Sequence, residues 1–469
     1  MSSVEQVKIP EGYKQTDIGV IPEDWDAKKM GEGIFLFSGH HVLAQYCNLN
    51  GEGFPYITGP SDFSSGVISI TKFTTKPTTI CNENDILITV KGSGAGSLVE
   101  SNSEYCISRQ LMAIRVTDWN SKFLMFSILQ NASSIKNAAT GLIPGLSRAD
   151  ILEQVIPIPR DIKEQTIIAN ALSDVDNLIT SLETLIAKKS AIKTAAMQQL
   201  LTGKKRLPGF EKLGTNQGEK QDCDHLADNN STNETTQINA SLTKGTGQTA
   251  PRPGYKQTEL GETNSPGTNL DASIGGPQGG GMDSRRIPED WEVDNIDNVL
   301  SITTGSKNTQ DRISDGTYPF YVRSQTVERI NSYSFDGEGV LTAGDGVGTG
   351  KIFHYINGKC DIHQRVYLMH NFSNRLHGYY FYIYFKNNFY DKVMSMTAKS
   401  SVDSVRREMI ADMLITLPSI DEQIAISEVL SDMDTELDAL QQRLSKTKKI
   451  KQGMMQELLT GKTRLLNVS

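Results

Sequence analysis

Leu200-Leu-Thr-Gly-Lys-Lys-Arg-Leu207 and Leu458-Leu-Thr-Gly-Lys-Thr-Arg-Leu465 are one octapeptide written twice with a single substitution, 258 residues apart. Each copy closes a longer duplication. Glu164 to Leu207 aligns without gaps to Glu422 to Leu465, with 20 identities in 44 positions. Within it Glu164-Gln165 repeats as Glu422-Gln423, and the pattern LSDxD of Leu172 to Asp176 repeats at Leu430 to Asp434. A second pair of repeats opens each half: GYKQT at Gly12 to Thr16 and Gly254 to Thr258, then IPEDW at Ile21 to Trp25 and Ile287 to Trp291. A chain that repeats itself must build the same unit twice, so the repeat decides the architecture before any secondary structure is assigned. Each unit runs from a short opening segment, through about 130 residues of dissimilar sequence, to a shared tail.

The tails read as helices. Leu172, Val175, Ile179, Leu182 and Ile186 step by 3 and 4, as do Leu430, Met433, Leu437, Leu440 and Leu444, which gives one heptad seam to each tail. Both seams pass through polar positions, Lys189 and Lys193 in one and Thr447 and Lys451 in the other, before returning to Ala196 and Leu200, Met454 and Leu458. Polar seam residues lower stability and fix register. Gly203 and Gly461 stand where left-handed caps end helices. A helix from Glu164 to Leu200 is about 55 Å long at 1.5 Å per residue, too long and too narrowly striped to stand alone. Its expected partner is the other tail; packing on its own globular domain, or on a second chain, is the alternative.

The dissimilar contents, roughly 20 to 160 and 286 to 418, are each long enough to bury a core. β-rich runs such as Asp85 to Val90 and Arg365 to Met369 alternate with turn residues and with helical stretches such as Lys122 to Lys136, so the fold class is α+β. Between the halves, only 9 of the 75 residues from Glu211 to Arg285 are Leu, Ile, Val, Met, Phe, Trp or Tyr. That is too few to offset the entropy of ordering, and a flexible linker is expected. A chain of 469 residues, 37% hydrophobic and 22% charged, is expected to be soluble and cytoplasmic, with no apolar run long enough to span a bilayer. Its five cysteines, Cys47, Cys81, Cys106, Cys223 and Cys360, never form a CxxC pair, which fits neither a disulfide framework nor a zinc finger.

Two copies of one frame, joined by helices of fixed length and carrying different contents, hold two unlike surfaces at a set distance. With its doubled motifs the chain resembles the specificity subunit of type I restriction-modification systems. There, two target recognition domains alternate with two conserved helical regions, each domain opened by an IPxxW-like segment and closed by a tail running from EQ to LLTGK.RL. The resemblance covers nearly the whole chain apart from the linker. It implies a first target recognition domain with its opening segment at 1–160, a first conserved helical region at 161–207, a flexible low-complexity linker at 208–286, a second recognition domain at 287–418 and a second helical region at 419–469. The two long helices would form an antiparallel coiled coil with an internal pseudo-two-fold repeat. Each domain would read one half of a bipartite site on double-stranded DNA, and the helices would set the unread gap. Two methyltransferase (modification) subunits would dock on the scaffold, and motor-nuclease (restriction) subunits would join them. S-adenosylmethionine, ATP and Mg would sit on those partners, with no cofactor or metal on this chain. One departure stands out: the second GYKQT is separated from its IPEDW by an insertion at Glu262 to Arg286, which puts the packing of that opening segment in question.

The residues themselves give no catalytic motif. Neither Asn-Pro-Pro nor Asp-Pro-Pro occurs, so adenine methylation by that route is excluded. The glycine-rich stretches Gly92 to Gly96 and Gly344 to Lys351 fit neither GxxxxGK[ST] nor GxGxxG; turns between strands are the plain reading. Glu23, Asp24, Asp26 and Lys28 imitate a nuclease cluster, but the second copy, Glu289, Asp290, Glu292 and Asp294, has no lysine. Trp25 and Trp291 are better read as anchors, and the histidines lack metal-ligand spacing.

Base reading calls for Arg, Lys, Asn, Gln, Ser or Thr at a groove. The candidates are Ser108, Arg109 and Gln110 in the first domain and His363, Gln364 and Arg365 in the second, then Ser147 and Arg148 against Lys399, Ser400, Arg406 and Arg407. Lys91 and Lys351, which flank the glycines, are candidates for phosphate contact; for each residue an ordinary solvated side chain is the alternative. Neither domain is basic: Lys+Arg against Asp+Glu is 10 to 13 for Pro22 to Val155 and 13 to 16 for Ile287 to Pro418. Partners would therefore supply much of the phosphate neutralisation. The competing reading is a non-catalytic adaptor with two protein-binding domains on a coiled-coil rod, which the acidic balance favours.

Overall fold

A computed structural model describes residues 9–63, 66–92, 94–131, 145–211, 255–257, 286–346, 348–395 and 404–465. Most of the expected linker, together with Lys399 and Ser400, lies outside them. The chain divides into two compact units, Met1–Leu185 with Leu440–Ser469, and Ile186–Ala439. Among the described residues the α-helices are α1 (Ser121–Gln130), α2 (Arg148–Leu152), α3 (Ile162–Leu200), α4 (Gly378–Ser395), α5 (Arg407–Ala411) and α6 (Ile420–Leu458). The two tails are α3 and α6, 39 residues each. Each is divided between the two units, so each unit owns the first half of one tail and the second half of the other. No helix among the described residues is long and apolar enough to cross a membrane.

In the first unit four antiparallel strands run in the order Leu98–Glu100, Ile86–Thr89, Leu111–Val116, Ile34–Ser38. Ile86 to Thr89 is buried at every position, as a strand covered on both faces must be. A second sheet, of five short strands, adds a parallel pair, Phe54–Ile57 with Tyr105–Ile107. Trp25–Lys29 pairs antiparallel with Val155–Pro159, closing the two ends of the insert together. Phe123 and Phe126 of α1 enter the same core as Trp25, Leu172, Leu458 and Leu459. In the second unit the order is Ser301–Thr304, Val366–His370, Phe335–Ala343, Phe353–Ile362, Tyr318–Tyr321, Glu328–Ile330, again with one parallel pair, Tyr318–Tyr321 on Phe353–Ile362, and with Glu292–Asn295 closing on Leu414–Leu417. Phe381, Phe385 and Phe389 stack along α4, with centroids 5.3 and 4.3 Å apart, and each such buried ring contributes roughly 1.5–3 kcal/mol. The two inserts, dissimilar in sequence, are built on one frame.

The seam is as expected. Of its eighteen positions, from Leu172 to Leu200 and from Leu430 to Leu458, none is exposed. In the first unit Lys448 pairs with Glu183 at 2.7 Å and Lys451 with Asp176 at 2.5 Å. In the second, Lys189 pairs with Glu436 at 2.6 Å and Lys193 with Asp434. Rising numbers on one helix meet falling numbers on the other, so the pairing is antiparallel. The polar seam positions Lys193 and Lys451 reach the last aspartate of each LSDxD, which accounts for both the lysines and the motif.

The octapeptides explain why the tails end as they do. Gly203 and Gly461 have φ of +67° and +71°, a region that penalises any side chain. A Cβ on Gly203 would lie 2.4 Å from Pro288 Cδ, and one on Gly461 2.6 Å from Pro22 Cδ. The turn thus presses each tail onto the opening segment of the opposite repeat. There Trp25, fully buried, donates from Nε1 to Glu164 (3.2 Å), and Trp291 donates to Glu422 (3.1 Å). Arg464 forks onto Glu164 and onto Asp24, with Nη2 to Glu164 and to Asp24 both 2.8 Å. Arg206 does the same to Glu422 (Nε, 2.8 Å) and Asp290 (Nη1, 2.9 Å). The neighbouring glutamines also do matching work: Gln165 accepts from the Asn120 amide and donates to the Pro159 carbonyl, both 2.8 Å, while Gln423 accepts from the His377 amide (2.9 Å) and donates to the Pro418 carbonyl (2.9 Å).

The interrupted opening segment forms nonetheless. Tyr255, Lys256 and Gln257 pair with Pro288, Ile287 and Arg286 in the register that Tyr13, Lys14 and Gln15 take with Pro22, Ile21 and Val20. The pairing closes across the insertion.

Glu422 is completely buried, so removing its arginine strands a charge. Arg206→Met should destabilise the second unit by about 3–5 kcal/mol, and Arg206→Met with Glu422→Gln by clearly less. Urea unfolding monitored by tryptophan fluorescence checks this; equal losses in the single and double variants would show that the charge is not the cause.

Candidate nucleic-acid interface

One corner of each insert is assembled from four separate segments by the same backbone hydrogen bonds. In the first, Val90 N donates to Gln110 O (2.8 Å), Leu146 N to Val90 O (2.8 Å), and Ser108 N to Ile57 O (3.0 Å). In the second, Gly344 N donates to Arg365 O (2.8 Å), Val405 N to Gly344 O (2.7 Å), and His363 N to Tyr321 O (3.0 Å). A strand end, a hairpin end, a tight turn and the approach to a short helix therefore meet in each. The glycine-rich stretches are the hairpin turns, with positive φ at Gly92, Gly96, Gly346 and Gly350. The bonds set Ser108 opposite His363, Arg109 opposite Gln364, Gln110 opposite Arg365, Ser147 opposite Arg406 and Arg148 opposite Arg407.

The counterpart of Lys91, which bridges to Gly145, is Asp345, which bridges to Ser404; it is not Lys351. Lys351 lies at the far side of its turn, with Nζ 5.2 Å from the Tyr390 ring centroid.

Three candidates are engaged with the backbone, two of them buried. Ser108 is buried, and its hydroxyl donates to Thr58 O (2.5 Å). Ser147 caps α2 by accepting from Asp150 N at 3.2 Å, in a reciprocal capping box. His363 is 4% exposed, and its Nδ1 accepts from the Arg365 amide at 3.0 Å. Burial, with Arg323 next in weight, holds its imidazole below the usual histidine range.

The other candidates are, like Ser147, exposed, and they differ between units. In the first, Lys91, Arg109 and Arg148 form no ion pair among the described residues; Arg148 donates to the Ser38 hydroxyl at 3.4 Å. The side chain of Gln110 lies over Gly59, where an added Cβ would be 2.5 Å from its Oε1. In the second, Gln364 donates to Asn308 (2.5 Å) and Arg407 pairs with Asp297 (2.5 Å). Arg365 and Arg323 both pair with Asp345, at 3.4 and 2.8 Å, and Arg406 stays exposed without an ion pair among the described residues. Arg323 and Asp345 were not among the sequence candidates. Asp345 was hidden inside a stretch read for its glycines, and nothing in the sequence marks Arg323, which the parallel strand pair brings to the corner.

The nuclease-like carboxylates have other duties. Asp24 binds Arg464, and Asp26 binds Arg160 (2.8 Å) and Lys14 (3.8 Å). In the second copy Asp290 binds Arg206, while Glu292 and Asp294 bind Arg375 at 2.8 and 2.6 Å. Hydrogen bonds from Arg464 and Arg160 hold Asp24 and Asp26 respectively below the usual carboxylate range, against the opposing effect of burial.

Residues 22–193 and 288–451 match the family described as Type I restriction modification DNA specificity domain. The type I restriction enzyme EcoDI specificity subunit of Escherichia coli is 27% identical over 179 residues, 38% of this chain and 39% of that protein. The type I restriction enzyme MjaVIII specificity subunit of Methanocaldococcus jannaschii is 22% identical over 484 aligned residues, 98% of this chain and 97% of that protein. The matched region thus spans about two fifths of the first relative and nearly all of the second. Among solved structures, the S subunit of a type I restriction-modification system from M. genitalium shares the fold, with a TM-score of 0.58 at 14% identity, covering 95% of this chain and 98% of that one.

His363 supplies a pH test of the second corner. Its folded pKa lies below the roughly 6.5 of a free histidine, so its contribution to stability is complete above about pH 6.5 and is lost as pH falls through the lower folded value. In histidine-selective NMR of the folded chain its titration midpoint should fall below 6.5; a midpoint at or above that value would show that the ring is not buried as described.

Proposed function

The chain belongs to the type I restriction-modification DNA specificity family, and we propose on that premise that it is the sequence-reading subunit of such a complex. Each insert reads one half of a bipartite site on double-stranded DNA from its four-segment corner. Lys91, Arg109, Gln110 and Arg148 serve the first half; Gln364, Arg365, Arg406 and Arg407 serve the second. The observation that carries this reading is that two inserts of unlike sequence bring exposed polar and cationic side chains to the same corner of the same frame. Common geometry with different side chains is what two different half-sequences require.

In this reading α3 and α6 set the gap. A helix of 39 residues is about 58 Å long, and half-sites on one face of DNA recur every 34 Å or so. Two methyltransferase subunits dock on the scaffold and carry S-adenosylmethionine, and motor-nuclease subunits carry ATP and Mg. The chain itself does no chemistry and acts in the cytoplasm. With neither insert basic, affinity for DNA is weak alone and strong and salt-sensitive in the complex.

The test is the genome-wide pattern of adenine methylation in cells with and without the chain. A bipartite motif that disappears on deletion is expected; an unchanged pattern, with the chain captured on other proteins, would favour the adaptor. Removing seven residues from each of α3 and α6 should change the gap and leave both half-sequences intact, and an unchanged gap would refute the measuring role. Shortening 212–254 should leave the recognised sequence as it was, a result that a changed half-sequence would contradict.

A further inference from the structure

The second corner has a chemical feature that the first does not: two of its exposed arginines, Arg323 and Arg365, share a carboxylate. Asp345 holds Arg323 at 2.8 Å and Arg365 at 3.4 Å, and its side chain is only 22% exposed while theirs are 44% and 64% exposed. The backbone beneath is fixed as well. The Arg365 amide donates to the buried His363, and the Gln364 amide group to Asn308. Where Asp345 and Arg365 stand, the first corner has Lys91 and Gln110, with no carboxylate.

Resting on the reading just given, we propose that Asp345 braces Arg323 and Arg365 as a guanine–cytosine reader, so that the half-site of the second domain contains at least one G·C pair specified by these residues. Two observations separate base reading from phosphate contact. A carboxylate at the contact surface repels phosphodiesters, so a corner built only to hold the backbone gains nothing from Asp345. A G·C pair, by contrast, offers O6 and N7 of guanine as acceptors for an arginine fork and the N4 amino group of cytosine as a donor to a carboxylate, side by side in the major groove. An arginine already held in place also loses less rotamer freedom on binding than a free one. Asp345 is thus a positioning residue for both arginines, and its free lone pairs suit the cytosine amino group.

The experiment expresses the full chain with its cognate methyltransferase in a host without adenine methylation and reads the modified motif by sequencing native DNA. For the unaltered chain a bipartite motif with a G·C pair in one half is expected. Asp345→Asn, Arg365→Ala and Arg365→Lys should each relax that pair at least tenfold while the other half stays as specified, which also reports that folding and assembly persist. Lysine keeps the charge and loses the fork, so a phosphate contact would survive Arg365→Lys and base reading would not. Relaxation at an A·T pair, relaxation nowhere, or equal loss of both halves would overturn the proposal. A failure of the unaltered chain to give any bipartite motif would instead overturn the function on which it rests.

Discussion

The structure depends on one arrangement made twice: a glutamate at the start of one long helix, buried and held between a tryptophan N–H and an arginine fork that arrives from the end of the other helix. A carboxylate out of water is tolerable only when its lone pairs are satisfied and its charge is met, and here both conditions are fulfilled by residues from distant parts of the chain. Arg464 reaches Glu164 across 300 positions and Arg206 reaches Glu422 across 216. Each repeat therefore completes the other. Neither tail could slide along its partner without breaking the fork at its end or the lysine–aspartate pair in its seam.

Much of this was legible in the sequence because it was written twice. The seam, the left-handed glycines and the tryptophan anchors follow from spacing and residue type, and all are found where expected. The identity of the arginine's partners was not legible: the R of LLTGKxRL shows that a cation is required, but not that it crosses to the opposite repeat. The common frame of the inserts was hidden for a different reason. A strand needs only a pattern of burial, and Ile86 to Thr89 and Val340 to Ala343 satisfy it with unrelated residues.

The proposed corner was partly visible. Proximity of candidates to glycine-rich turns pointed to segments that backbone hydrogen bonds bring together, yet spacing along the chain could not decide which side chains face outward. Ser108 and His363 satisfy the backbone inside the turn, and Ser147 satisfies a helix end. Lys91 and Lys351 both flank glycines in the sequence, whereas hydrogen bonds set Lys91 against Asp345. That exchange of a cation for an anion makes the two corners chemically different while the backbone stays the same.

The insertion in the second opening segment has a consequence for how firmly that segment is held. The first strand pair closes over two residues, Asp17 and Ile18, and the second over the 28 residues of 258–285. Loop closure becomes costlier by about 0.6 kcal/mol with each doubling of length, so the longer loop leaves its ladder weaker by roughly 2 kcal/mol. The ladder at Tyr255 to Gln257 is then a reversible clasp, whereas Trp291, pinned by Glu422 and Arg206, is the permanent one. Of two ladders identical in sequence at YKQ, the one closed by the longer stretch of chain is the one that opens more readily.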